Sequence, residues 1–254
     1  MNAALIIGLN SFRENLRERL LYNLVFFALL LIGSAVLLSR LHFGDASRLI
    51  LDLGLACINL FGVLIAIFIG IGLVSKEIEK KTIYTIISKP VPRYVFLLGK
   101  YIGLTITLLV NTAIMLAGLL VVLAVMDVAV TVLLFKAVLL IFMELLLITA
   151  VALLFSTFTT STLSAIFTLA IYVIGHLLND AKVLGAKLDT VGRGVLTGFY
   201  YVLPNLENFN IKGRVIYQLD VGGTELALAL AYGVLYTAML LLLAGVIFQR
   251  RDFR

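Results

Sequence analysis

Long apolar runs and short polar breaks alternate along this chain. The runs extend from about Leu21 to Leu38, Leu49 to Val74, Tyr101 to Val125, Val132 to Phe155, Ala165 to Leu178 and Leu226 to Phe248. Read as helices rising about 1.5 Å per residue, these runs predict six membrane spans, and Leu49–Val74 is long enough to cross the roughly 30 Å of hydrocarbon in a bilayer with tilt. Ahead of the first run, Leu5, Leu9, Phe12, Leu16 and Leu20 recur at spacings of four and three, with Arg13, Glu14, Arg17, Glu18 and Arg19 between them. This predicts an amphipathic helix over residues 1–20, lying in the plane of the membrane interface. It is not a cleavable signal peptide, because the charges follow the apolar part and no small-residue cleavage site appears.

The breaks differ in character. Arg40–Arg48 is a first loop with His42 in it, and Met126–Thr131 predicts a tight turn around Asp127. Ser156–Ser164 is rich in hydroxyls and carries no charge. Residues 179–224 are too long for a structureless loop in a compact protein. Gly192, Gly194 and Gly198 punctuate that segment, and Phe199–Pro204 is apolar enough to lie at the outer interface. An interfacial tether and a substrate gate both fit it. The most polar central interval, Lys76–Lys100, holds Lys76, Lys80, Lys81, Lys89, Arg93 and Lys100. Within it Thr82–Lys89 predicts about two helical turns. Ile83, Ile86 and Ile87 share one face of them, and Pro90 ends them.

Composition sets the solvent. Hydrophobic residues make up 62% of the 254 and charged residues 13%, against about a quarter charged in soluble proteins. The chain is therefore predicted to be an all-α membrane protein, a single transmembrane domain over residues 1–254. Six spans put both termini on one side. Twelve of the twenty Lys and Arg residues fall on that side, six of them in the Lys76–Lys100 interval. Both termini and that interval are thus expected on the cytoplasmic side of a cell membrane, the inner membrane if bacterial. The net charge of +6 suits an anionic lipid surface better than nucleic acid, because no basic face is interleaved with exposed aromatics. The lone Cys57 excludes an intrachain disulfide and a cysteine metal cluster.

The polar interval also carries a resemblance. Glu77-x-Glu79-x-x-Thr82, then Ser88-Lys89-Pro90-x-Pro92-Arg93, then Leu98-Gly99-Lys100, resembles the first cytoplasmic loop of ABC-2 type transporter permeases, most closely the branch with the NosY and GldF permeases. The sequence departs from many relatives at Lys81, where they have Gly. On charge alone, an ordinary positive-inside loop fits equally well. The resemblance implies a coupling loop at residues 76–93, its short cytoplasmic helix docking into a cleft on an ATP-hydrolysing subunit. It assigns that contact to Glu77, Glu79, Thr82, Ile83, Ile86, Ile87, Pro90 and Arg93, and likens residues 1–20 to an elbow helix before the first span. Asn205–Asn210 is similar to the segment before the last span in such permeases. A second permease subunit, identical or a sibling, would complete the exporter, with ATP and Mg bound by the ATPase and no cofactor here.

The chain's own chemistry points the same way. A phosphate-cradling loop would end in Gly-Lys-Ser/Thr, yet Gly99-Lys100 is followed by Tyr101. No hydrolase constellation or metal motif stands out, so an enzyme is not expected. Ionisable and amide groups inside spans are the candidate pathway or interhelical residues: Asp52, Asn59, Asn111 and Glu144. Asp52 and Asn59, seven apart, share a face predicted to look into the bundle. Asn111 and Glu144 are predicted to bond across the third and fourth spans, either as packing glue or as part of a pathway. His42 and His176 are expected near the outer surface as solvated or interfacial histidines. An ATP-independent carrier or membrane scaffold is the alternative.

Overall fold

The computed structural model describes residues 3–41, 45–79, 92–185 and 190–250, and among these every regular element is helical. A short helix, α1 (Ala3–Asn15), leads into α2 (Arg19–Leu41) and α3 (Ala46–Glu79). Next come α4 (Arg93–Val125), α5 (Val132–Ser156) and α6 (Ser161–Gly185). Helix α7 (Thr190–Val202), a 3₁₀ turn (Leu206–Phe209) and α8 (Lys212–Ile216) precede the last long helix, α9 (Gly223–Arg250). Helices α2, α3, α4, α5, α6 and α9 are each long and apolar enough to span a bilayer, as the six runs predict. Helices α3 and α5 form the centre, each bearing a largely buried apolar stretch, and the other four surround them.

Both ends of the described chain meet at one end of the bundle, termed the terminal end. Helix α1 packs on the start of α4, and Phe248 of α9 stacks on Phe96 of α4 at 6.2 Å. Arg93 Nη1 donates to the carbonyls of Phe248 and Gln249 at 3.4 and 3.2 Å, satisfying acceptors left open at a helix C-terminus.

Helix α1 departs from expectation in how it is held. Its leucine face does not pack: Leu5 and Leu9 are exposed, and Gly8, Ser11 and Asn15 are buried. These small residues lie on Gly99, Gly103 and Thr107 of α4. A Cβ on Gly103 would meet the Gly8 carbonyl at 2.6 Å and Ser11 Cβ at 2.7 Å. Asn15 Nδ2 donates to Thr107 Oγ1 at 3.1 Å. Small residues let two backbones approach this closely. The periodicity therefore marks a side that the rest of the protein leaves uncovered at Leu5 and Leu9, and it misses the side that binds α4. Lys100, the last basic residue of the polar interval, is buried, 3.5 Å from Glu14 and over the Phe96 ring.

The turns follow local rules. Asp127 takes φ 57°, and Val128 N–H donates to the Leu123 carbonyl at 2.9 Å, closing α4 with a left-handed cap. After α5, the hydroxyls of Ser156, Thr157 and Thr159 donate to the carbonyls of Leu153, Leu154 and Phe155. The uncharged connection thus closes its own helix end.

At the opposite end, residues 204–221 fold down onto the bundle as a cap, burying Leu206, Phe209, Ile211, Val215 and Val221. Asn205 fixes it: its Nδ2 donates to Asn179 Oδ1 of α6, and its backbone N–H donates to Tyr232 Oη of α9. Phe199, Tyr201 and Val202 remain exposed beside it.

Candidate functional site

The polar groups of the central helices converge on Glu144. It lies midway along α5, 1% exposed, with Leu145 packed against Gly62 of α3 next to it. Asn59 Nδ2 donates to Glu144 Oε2 at 2.8 Å, and Tyr172 Oη of α6 donates to Asn59 Oδ1 at 2.7 Å. Glu144 Oε1 accepts no hydrogen bond among the described residues, but His176 Nε2 stands 3.4 Å from it. His176 Nδ1 lies 3.2 Å from the Tyr172 carbonyl, four residues back on the same helix. Three helices are thereby joined through one carboxyl.

The cap brings charge to this junction. Burial lowers the proton affinity of Lys212 on α8, and the carboxylates of Glu144, Asp52 and Glu207 oppose that effect, Glu144 most strongly. Arg214 is exposed and bonds Glu225 Oε2 at 2.6 Å, which raises its proton affinity. Lys136 Nζ donates to the Val221 carbonyl at 3.0 Å, securing the other end of the cap.

The structure rearranges several expected partners. Asn59 is buried as expected, but Asp52 is exposed near the start of α3 and acts on Lys212. Two turns separate them, enough to carry one helical face from the bundle interior to its edge. The bond expected between Asn111 and Glu144 is not made. Asn111 is buried on α4, and among the described residues nothing accepts from its Nδ2. Spacing along two spans sets depth but not which helix lies adjacent, and at this depth the partner comes from α3. His176 is not a solvated histidine: its side chain is 22% exposed and faces Glu144. Tyr172, His176 and Asn179 fall at i, i+4 and i+7 of an apolar helix. That polar stripe was the signal for the α6 contribution.

Of the residues expected to contact an ATPase, Glu77 and Glu79 lie in the last turn of α3, and Arg93 opens α4. Thr82, Ile83, Ile86, Ile87 and Pro90 lie outside the described residues, as does His42. Among the described residues no group of three or more His, Cys, Asp or Glu side chains is placed to hold a metal.

Six long apolar helices around a buried polar junction, with all regular structure helical among the described residues, define a multi-pass α-helical membrane protein. The chain belongs to the ABC-2 transporter family: the model of the ABC-2 family transporter protein matches residues 5–253. A search of curated proteins returns no match.

Proposed function

We propose that this chain is the transmembrane permease subunit of an ABC exporter, coupling ATP hydrolysis on a separate ATPase subunit to export of a substrate. Family membership supports the permease class and the association with such a motor. The observation that carries the coupling is the length of α3 and α4. With 34 and 33 residues, each extends about 50 Å. A bilayer core is about 30 Å thick. The apolar run of α3 gives way to polar residues after Val74, so its last turn, residues 76–79, extends past it on the terminal end, where residues 80–91 join it to α4. A load applied to that junction reaches two helices at once. One carries Asn59 into the Glu144 cluster, and the other is stiffened by α1.

In this reading the junction and both termini face the cytoplasm, and the protein lies in a cell membrane, the inner one if bacterial. The ATPase binds the face of Ile83, Ile86 and Ile87, with Glu77, Glu79 and Thr82 at its entrance. Pro90 and Arg93 hold the exit, and Pro92 has the extended conformation (φ −59°, ψ 140°) of a stiff lead into α4. A second permease subunit, the same chain or a sibling, completes the path, with Asp52, Asn59, Asn111 and Glu144 as candidate pathway residues. The loop motif favours the branch with the NosY and GldF permeases.

Copurification tests this. The wild-type chain is expected to retain its ATPase subunit from membranes, and Ile86→Glu to lose it. Equal retention by both would count against docking on the Ile83, Ile86 and Ile87 face, and an ATPase that fails to copurify even with wild type would favour an ATP-independent carrier or scaffold.

A further inference from the structure

Hydrogen-bond polarity at Glu144 selects one proton count. A carboxylate oxygen accepts, so the Asn59 amide nitrogen faces Glu144, and its carbonyl faces a Tyr172 hydroxyl that donates. That chain directs its donors at Oε2, so a proton carried by Glu144 sits on Oε1. On the other side the Tyr172 carbonyl can only accept, so Nδ1 of His176 carries a hydrogen and Nε2 faces Oε1. With one proton between Oε1 and Nε2, every contact pairs a donor with an acceptor. A second proton sets O–H against N–H. Removing the proton opposes two lone pairs, or takes the hydrogen away from the Tyr172 carbonyl.

The cap rests beside both partners. Leu206 packs on Gly175, which precedes His176, and a Cβ built there would meet Leu206 Cγ at 2.7 Å. Phe209 and Met143, which precedes Glu144, both close on Gly233 of α9. The charges that face the pair are Lys212 and Glu207 from the cap, with Asp52 of α3 acting on Lys212. Tyr172 comes from α6. From α4, Tyr101 Oη donates to the Leu146 carbonyl, two residues beyond Glu144.

We propose that Glu144 and His176 form a one-proton latch beneath the cap, and that residues 204–221 stay seated only while the pair holds that proton. The latch needs the bundle alone and does not rest on an ATPase partner. Hydrogen exchange on the full chain in lipid nanodiscs tests it, followed over pH for peptides of residues 204–221, with α9 peptides as the reference for global opening. Wild-type protection is expected to peak in an intermediate window. On each side it should fall about tenfold, the loss equivalent to one polar contact of ordinary net strength. Glu144→Gln presents a fixed amide donor to Nε2 and an acceptor to Asn59, so it is expected to abolish the alkaline fall and keep the acid one. A flat wild-type profile, or an alkaline fall that persists in Glu144→Gln, overturns the latch. Should that variant fail to assemble, the wild-type profile decides alone: two-sided supports the latch, flat sinks it.

Discussion

Two seams of this protein are built on opposite principles. Between α1 and α4, glycines bring backbones together, and contact is a matter of shape. Between α3, α5 and α6, one carboxyl, one amide, one phenol and one imidazole meet, and contact is a matter of donor and acceptor count. A seam of shape resists everything except added volume. A seam of hydrogen bonds fits well in one protonation state and poorly in others. The rigid seam lies at the end that carries both termini, and the switchable one lies under the cap.

The comparison can be broken most forcefully at Gly103. A side chain there meets the Gly8 carbonyl and Ser11 Cβ, neither of which is a flexible tip. Gly103→Val is expected to cost about 1–3 kcal/mol, the usual range for overpacking. It should show as a lowered unfolding midpoint in detergent and as proteolysis between residues 1 and 20. Gly33→Ala is the control, since an added methyl on α2 meets nothing within 4 Å, and it should leave both readouts near wild type. At the polar seam, Glu144→Ala strands the Asn59 amide and removes the partner of His176. It is expected to cost about 1 kcal/mol, the scale of an interhelical hydrogen bond in a membrane, measured by the same unfolding transition. A cost as large as that of Gly103→Val would contradict the contrast between the seams. The smallest effect is expected at Lys100→Met. Lys100 is buried but its partner Glu14 is 58% exposed, and a methionine keeps the packing of the lysine stem. An ion pair with one partner in solvent is expected to contribute no more than ~1 kcal/mol and to weaken with salt. Unfolding compared at low and high salt checks this.

Much of the fold was legible in the sequence because its causes are local and one-dimensional. The six spans follow from apolar run length, since an apolar segment long enough to cross lipid satisfies its backbone within itself only as a helix. The turn at Asp127 and the hydroxyl-rich break at Ser156–Ser164 follow from which residues tolerate a left-handed cap or can satisfy helix-end carbonyls. The site was legible only in part. Glu144 and Asn59 stood out as polar groups in apolar runs, yet spacing put Asn59 and Asp52 together on one interior face, and depth paired Glu144 with Asn111.

What the sequence determined by itself was which segments cross the membrane, roughly where they end, and which buried groups need a partner. Those outcomes depend on the cost of exposing each segment to lipid or water, and that cost is written residue by residue. Only the tertiary structure decided which partner each group found. Asn59 reaches Glu144 because α3, rather than α4, supplies the adjacent amide there, and His176 faces the carboxyl because α6 lies beside both. It also turned the small face of α1 inward and its leucines outward. Inside lipid, apolar surface gains little by turning from lipid to protein, so close shape and unmet hydrogen bonds choose the neighbours.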